Sequence, residues 1–382
     1  MKVTTDLTND ELEKLYEQIN SKTINLPINF KKLRLGLLAR ICQIFITSLK
    51  YNPDKIIKFY QFDSTYKENS IDEFLEHPEC LTALLMSNNV YEKDKVIDGK
   101  KENVELKSKI NRKIQDRLNQ SILEQNHRVQ MFAVDHSIKK YAFPSCFYFP
   151  EGSNTLASSD FYATLLNRVI HRFHPKTEIS IEEINSLALA IHELIENTEQ
   201  HGKSEFNTGK VKRSVRALII DYKRINRSDE IETISGFNTP MTDYLNNIKS
   251  NKGTLHFLEI SIFDSGEGIF KTLKANSDYK FEIRDEVKVV EEAFAKGKTS
   301  KSEFQGYGRG LHNVRTILDK RSGFLSLRTG HISLFRDFKI NRLTEAENIP
   351  LELYDEITKS RDEYKKLAHA EGLAISILVP LR

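Results

Sequence analysis

The segment from Ile181 to His201 constrains the fold more than any other part of the sequence, because its apolar residues recur at helical spacing. Ser180 can cap the N-terminus of this predicted helix, and Gly202 can end it. We expect one stripe of side chains to be buried: Ile184, Leu187, Ile191, Leu194 and Thr198.

Two polar residues lie beside that stripe. Glu193 and Asn197 are four positions apart, so they share one face of the helix. An Asn oxygen can ligate Mg²⁺, and a Glu can orient a water molecule for attack. Taken alone, the pair is more often an ordinary solvated helix face.

Two glycine-containing motifs follow along the chain. DSGEG (264–268) comes at the end of a very apolar predicted strand, so Asp264 places a hydrogen-bond acceptor beside backbone that a flat ring can approach. GYGRGL (306–311) opens a predicted helix, where backbone N–H groups suit phosphate. Each motif alone also fits an ordinary turn or loop.

Taken together and in this order, the three motifs resemble those of the GHKL ATPase superfamily, which includes gyrase, MutL, heat-shock chaperones and sensor histidine kinases. HELIENTEQHG (192–202) resembles its N box, IFDSGEGIF (262–270) its G1 box and GYGRGLHNV (306–314) its G2 box. AFAKGKTSK (293–301) is similar to the ATP lid between them, within a polar segment at about 271–305. The resemblance covers about residues 155–382.

The resemblance implies ATP and Mg²⁺ as ligands, and it implies a role for each matching residue. Glu193 would be the general base, Asn197 the magnesium ligand, and Asp264 the acceptor for the adenine amino group. Lys298 or Lys301 of the lid would reach the γ-phosphate, with an ordinary solvated lysine as the alternative. The remaining implied cofactor-binding positions follow the two glycine motifs: Gly266, Gly268, Ile269, Gly306, Gly308, Gly310 and Leu311.

The chain is predicted to be α+β, with two domains. Residues 155–382 would form a Bergerat α/β sandwich, a mixed β-sheet with helices on one face, containing a helical insertion near 343–370. Residues 1–150 read as a mixed α/β sensor or interaction domain, with strands at 56–62, 129–135 and 146–150. That domain carries no motif to which chemistry can be attached.

The composition of the chain limits which classes of partner and which cellular location we expect. The chain has 57 basic and 54 acidic residues, so its charge gives no reason to expect nucleic acid as the main partner. The three cysteines are isolated, which suggests neither a zinc site nor a disulfide framework. The apolar run Leu37–Leu49 is too short to span a bilayer and the N-terminus is polar, so we expect no membrane contact and a cytoplasmic location.

The motifs predict a magnesium-dependent, slowly hydrolysing ATPase that acts as a conformational switch on an unidentified protein partner or a second copy. A histidine of the phosphoacceptor type occurs only as His192, inside the N box, which argues against a self-contained sensor kinase. A kinase acting in trans on His or Ser, and an ATP-sensing scaffold without turnover, remain alternatives. A threonine common near the start of the last strand in the superfamily is missing, and only Ser376 is offered there.

Overall fold

The structure is a computed structural model. It describes residues 1–27, 30, 34–59, 75–92, 123–125, 127–135, 146–149, 155–202, 213–226, 230–248, 253–274, 282–295, 310–343 and 349–381. The described part of the chain is α+β, and none of its helices is both long and apolar enough to cross a membrane.

The N-terminal unit, defined here as the described residues up to 92, alternates strands and helices. Its elements are α1 (Asn9–Glu17), β1 (Thr23–Leu26), α2 (Leu38–Leu49), β2 (Ile56–Phe59), α3 (Pro78–Met86) and β3 (Asn89–Glu92). The strands pair in parallel in the order β1-β2-β3. Parallel neighbours need crossover connections, which α2 and α3 provide. Every residue of α2 is buried.

An eight-stranded sheet forms the centre of the molecule, in the order β10-β9-β8-β11-β7-β6-β5-β4. Its strands are β4 (Leu123–Gln125), β5 (Arg128–Val134), β6 (Val215–Asn226), β7 (Thr254–Phe263), β8 (Phe324–Gly330), β9 (Ile332–Asp337), β10 (Tyr354–Asp355) and β11 (Ala370–Pro380). The predicted mixed sheet is wrong, because every pairing among these strands is antiparallel. In the tightest connection, Gly330 and His331 join β8 to β9 as a hairpin, which only antiparallel strands permit.

One face of the sheet, the helical face, is covered by α4 (Ser159–Phe173), α5 (Ile181–His201) and α10 (Gly310–Arg321). Alternate sheet residues such as Leu218 and Ile220 point into this core, as the period of a strand requires. The remaining helices lie in the connections: α6 (Ile231–Ile234), α7 (Thr239–Asn247), α8 (Ile269–Lys274) and α9 (Ile283–Ala293).

The opposite face is covered by the N-terminal unit and by α7, whose Met241 and Tyr244 share a buried cluster with Phe257 and Leu378 of the sheet. Helices of the C-terminal half thus lie on both faces rather than on one as predicted. Ala217, Ile219 and Phe263 share a buried cluster with the side chains of α2 and α3. The intervening residues of the same strands face α5, so the sheet is the wall between the two layers. Burying both faces explains why β6 and β7 read as nearly continuous apolar runs.

The predicted strand at 129–135 corresponds to β5. It pairs with β6 and thus belongs to the large sheet, although it precedes the boundary predicted near residue 150. The predicted strand at 146–150 is reduced to a single bridge between Tyr148 and Leu156 in the described residues.

Two other predictions about the C-terminal half need correction. The predicted helical insertion near 343–370 is wrong for its described part, where the buried Asp355 accepts backbone N–H groups of Ile357, Thr358 and Lys365. Such side-chain bonds compete with helix formation. The polar segment at 271–305 contains α9, whose Val287 and Val290 are buried in the helical-face core.

Candidate functional site

Helix α5 has the start, the buried stripe and the end that the sequence predicts. Ser180 and Glu183 form a capping box at its N-terminus, and all five residues of the predicted stripe are buried. Gly202 follows its last turn, where an added Cβ would lie 2.5 Å from the Thr198 carbonyl oxygen and 2.9 Å from Asp264 Cβ. The absence of a side chain at Gly202 therefore lets the end of α5 approach the end of β7.

Asp264 follows β7 directly and is 7% exposed. Its backbone N–H donates to the Leu373 carbonyl at 3.0 Å, and its Oδ1 accepts the Gly266 N–H at 2.8 Å. Burial raises the pKa of Asp264 to about 6, against the smaller opposing effects of backbone hydrogen bonds and of the Arg216 and Lys50 charges. The carboxyl group is thus a buried acceptor with no ion pair among the described residues.

The turn at 264–268, here called the G1 turn, is held by close backbone contacts on both sides. A Cβ on Gly266 would lie 2.5 Å from the His201 carbonyl oxygen. Gly268 has a φ of +83°, and a Cβ there would lie 2.6 Å from Thr329 Oγ1. Both glycines are therefore needed for the packing itself, in addition to the access that the resemblance implies.

A buried arginine fixes the end of α5 against the sheet. Arg216 on β6 is fully buried and pairs with Asp135 at 2.9 Å and with Glu199 at 2.6 Å. Glu199 also accepts the Tyr148 hydroxyl. Sequence reasoning missed this network, although an arginine inside the apolar run VRALIIDY was a signal for it.

The N box also contacts the helix that follows the G2 motif. Glu193 is half-buried, and Asn313 Nδ2 of α10 donates to its Oε2 at 3.2 Å. Asn197, one turn later, is exposed. The structure thus brings Glu193 to α10, and it brings the end of α5 to the G1 turn.

The other predicted site residues are distributed as follows. Ile269 begins α8 and Leu311 lies in the first turn of α10, both packed against the helical-face core. Gly310 begins α10. Four predicted residues lie outside the described residues: Lys298, Lys301, Gly306 and Gly308.

The position of Ser376 differs from what the threonine comparison suggested. Ser376 faces the N-terminal unit, where its hydroxyl donates to the Gly36 carbonyl at 3.4 Å. Thr329 on β8 lies against the G1 turn instead and donates to the Gly372 carbonyl at 3.0 Å. The sequence offered one signal for it, a threonine immediately before the glycine of a hairpin.

A cavity of about 710 Å³ lies at the other end of β6. Tyr222 lines this cavity, whereas Ala217 on the same strand pairs with Phe263, next to the G1 turn. The two residues are five positions apart, which corresponds to about 17 Å along the strand. Arg128 and Lys223, also in its lining, pair with Asp221 at 2.6 and 2.9 Å. The lining still carries more basic than acidic side chains, since Arg172 and Arg224 also belong to it, and the cavity is separate from the G1 turn.

No protein-family model matches this chain, and no curated protein matches it significantly. The assignment of the candidate site therefore depends on its motifs and on the geometry around Asp264.

Proposed function

We propose that residues 155–382 bind ATP with Mg²⁺ in a Bergerat-type site and hydrolyse it slowly, as a switch that acts on a protein partner or a second copy. The observation that carries the proposal is the contact between the end of α5 and the G1 turn. Gly202 and Gly266 allow the N box helix and Asp264 to meet. Two motifs separated by about sixty residues are thereby neighbours in space.

Asp264 is suited to select adenine. A buried carboxylate that is not committed to a cation has acceptor capacity left for the amino group of a base. Guanine presents a carbonyl oxygen at the corresponding position, and two acceptors facing each other would be repulsive. The buried setting increases this discrimination, because an unsatisfied polar group is costly there.

Glu193 is suited to orient the attacking water. The Asn313 amide donates to Glu193 Oε2 and so fixes the orientation of the carboxyl group, and an oriented carboxylate can accept a proton from water. Exposed Asn197 on the same helix face is in the position proposed for the magnesium ligand. Mg²⁺ that arrives with phosphates commonly takes one or two protein ligands.

The test compares ATP binding with ATP turnover. Calorimetry with a non-hydrolysable ATP analogue and Mg²⁺ should give binding to the wild type, and GTP should bind much more weakly. Glu193→Ala should keep that affinity and lose phosphate release, whereas Asp264→Asn should weaken binding itself. Glu196→Ala serves as the matched control, because it removes a carboxylate of the same helix that has no proposed role. This variant should retain both ATP-analogue binding and phosphate release.

Three results would contradict parts of this proposal. Absence of analogue binding to the wild type would overturn it as a whole. Wild-type turnover in Glu193→Ala would remove the assigned base. Transfer of labelled phosphate to a protein, rather than its release, would replace the hydrolytic switch with a kinase.

A further inference from the structure

Helix α2 carries a polar stripe although it is buried on all sides. Gln43, Thr47 and Lys50, the last at its C-cap, are spaced four and three residues apart and so fall on one side of the helix. Buried polar side chains need partners. Gln43 accepts the Tyr16 hydroxyl within the N-terminal unit, but each of the three side chains also has a partner in the C-terminal half of the chain.

The partners are backbone groups at an irregularity in β11. The register of β11 against β8 shifts between Ala370 and Leu373, and Gly372 adopts a φ of +69°. Thr47 Oγ1 accepts the Glu371 N–H at 3.0 Å, and Gln43 Nε2 donates to the Gly372 carbonyl at 3.4 Å. Helix α2 therefore satisfies groups that the bulge removes from the strand ladder.

Lys50 extends this contact to the G1 turn. Its side chain has no exposed surface, and its Nζ lies 2.7 Å from Glu371 Oε2 and 3.4 Å from the Gly266 carbonyl oxygen. Burial raises the pKa of Glu371, but the hydrogen bond from His369 and the Lys50 charge outweigh it and lower the value to about 2. The pair is thus ionised at neutral pH.

Gly266 is consequently held from two layers. The end of α5 contacts it on the helical face, and Lys50 binds its carbonyl on the N-terminal face, while its N–H holds the Asp264 carboxylate. We infer that Lys50 is a positioning residue for Asp264 and that helix α2 is a structural part of the adenine site. This inference rests on the proposed function.

The consequence is a linkage between the N-terminal unit and nucleotide. Moving α2 away releases the Gly266 carbonyl and the bulge at Gly372, which packs directly on the Asp264 backbone. ATP binding and docking of α2 therefore favour each other, since coupling between two binding events is reciprocal. A partner that displaced the N-terminal unit would reduce the affinity for ATP.

The experiment separates positioning from stability. Lys50→Met alone leaves the buried Glu371 carboxylate with only its His369 contact and can prevent folding, so the decisive variant is Lys50→Met with Glu371→Gln. Replacing both charges should keep the urea midpoint near that of the wild type. The Gly266 carbonyl still loses its donor, so the Kd for the ATP analogue should rise about tenfold. Lys50→Arg should restore most of the affinity.

Lys55 provides the matched control. It is also buried in the N-terminal unit and also donates to backbone carbonyls, but its described partners are Ile19 and Ser48 rather than the G1 turn. Lys55→Met should lower stability and leave the Kd of the folded protein within about twofold.

The outcomes distinguish this inference from the proposed function. If the wild type binds the analogue and the double variant binds it equally well, Lys50 does not position the site. If Lys55→Met weakens binding as much as the double variant, the effect is one of general stability and the inference fails. If the wild type does not bind the analogue, the proposed function fails first and the inference fails with it.

Discussion

Asp221 and Asp264 are buried aspartates associated with neighbouring strands, at opposite ends of the sheet, and their surroundings differ completely. Asp221 accepts from Arg128 and from Lys223, both at 2.9 Å or less. Burial raises the pKa of Asp221, but the Lys223 and Arg128 charges outweigh it and lower that pKa. The Asp264 carboxyl accepts the Gly266 N–H and forms no ion pair among the described residues, and burial raises its pKa to about 6.

The comparison shows which of the two carboxylates serves the fold. Asp221 stabilises the folded state, because without it Arg128 would lose its paired carboxylate and Lys223 would keep only the more distant Glu259, at 3.5 Å. None of the described residues forms an ion pair with Asp264, and burial of its charge is therefore a cost to the folded state at neutral pH. A carboxylate that destabilises its own fold, in a turn whose close packing requires glycines, agrees with the proposed binding site for a polar ligand.

The largest expected effect is the loss of stability on replacing Asp221. Asp221→Asn leaves Arg128 and Lys223 without their shared carboxylate and should lower the free energy of unfolding by about 3–5 kcal/mol. Urea titration measures this loss. ATP-analogue affinity per folded molecule should stay within about twofold, so a stable variant that had lost binding would reverse the assigned roles.

Asp264→Asn should raise the free energy of unfolding, whereas Asp221→Asn should lower it. Raising the pKa of Asp264 from 3.8 to about 6 corresponds to a cost of about 3 kcal/mol, which the neutral amide removes. The variant should therefore be about 1–3 kcal/mol more stable at pH 7. Its ATP affinity should fall about 10- to 100-fold, because an Asn whose oxygen accepts the Gly266 N–H would turn its NH₂ toward the adenine amino group.

The pH dependence identifies the cause of that gain. Between pH 4 and pH 6 the folded state holds a proton on Asp264 that the unfolded chain has lost, so the contribution of this group to stability decreases as pH rises. The stability difference between Asp264→Asn and the wild type should therefore be small near pH 4, grow up to about pH 6 and then remain constant. A gain that did not change with pH would have another origin.

Local patterns predicted much of the helical layer. Helix α5 has the predicted limits, and Asp264 lies at a strand end as expected. These features depend on hydrophobic periodicity, on capping residues and on turn glycines, all of which act over a few neighbouring residues.

The rest depends on tertiary contacts. Arg216 reads as an interruption of a strand until Asp135 and Glu199 are placed around it. Lys50 ends an apolar helix, and its partner Glu371 is more than three hundred positions away. The antiparallel order of the sheet likewise depends on which strands meet, which local periodicity does not specify.

Gly266→Ala displaces the backbone N–H that holds the Asp264 carboxylate but leaves the charge of Asp264 unchanged. The new Cβ would lie 2.5 Å from the His201 carbonyl oxygen, so α5 and the G1 turn must separate. We expect a loss of about 1–3 kcal/mol in stability together with weaker analogue binding. Gly253→Asn is the control, because that position has a φ of +73°, which Asn tolerates, and open space around it. Wild-type binding in Gly266→Ala would show that the close approach does not matter for the site.

The smallest expected effect is on phosphate release, and it tests whether the proposed site extends from Asp264 to Glu193 and α10. Asn313→Ala removes the donor that holds Glu193 Oε2. Losing one such hydrogen bond should reduce phosphate release about three- to tenfold and leave analogue affinity within about twofold, because the interaction orients the base rather than the nucleotide. Asn185→Ala, an exposed Asn near the start of α5, is the control and should change neither quantity. Equal losses of binding and turnover in Asn313→Ala would instead make α10 part of the nucleotide-binding surface. The proposal of a separate catalytic role for Glu193, unlike the paired charges around Asp221, would then be wrong.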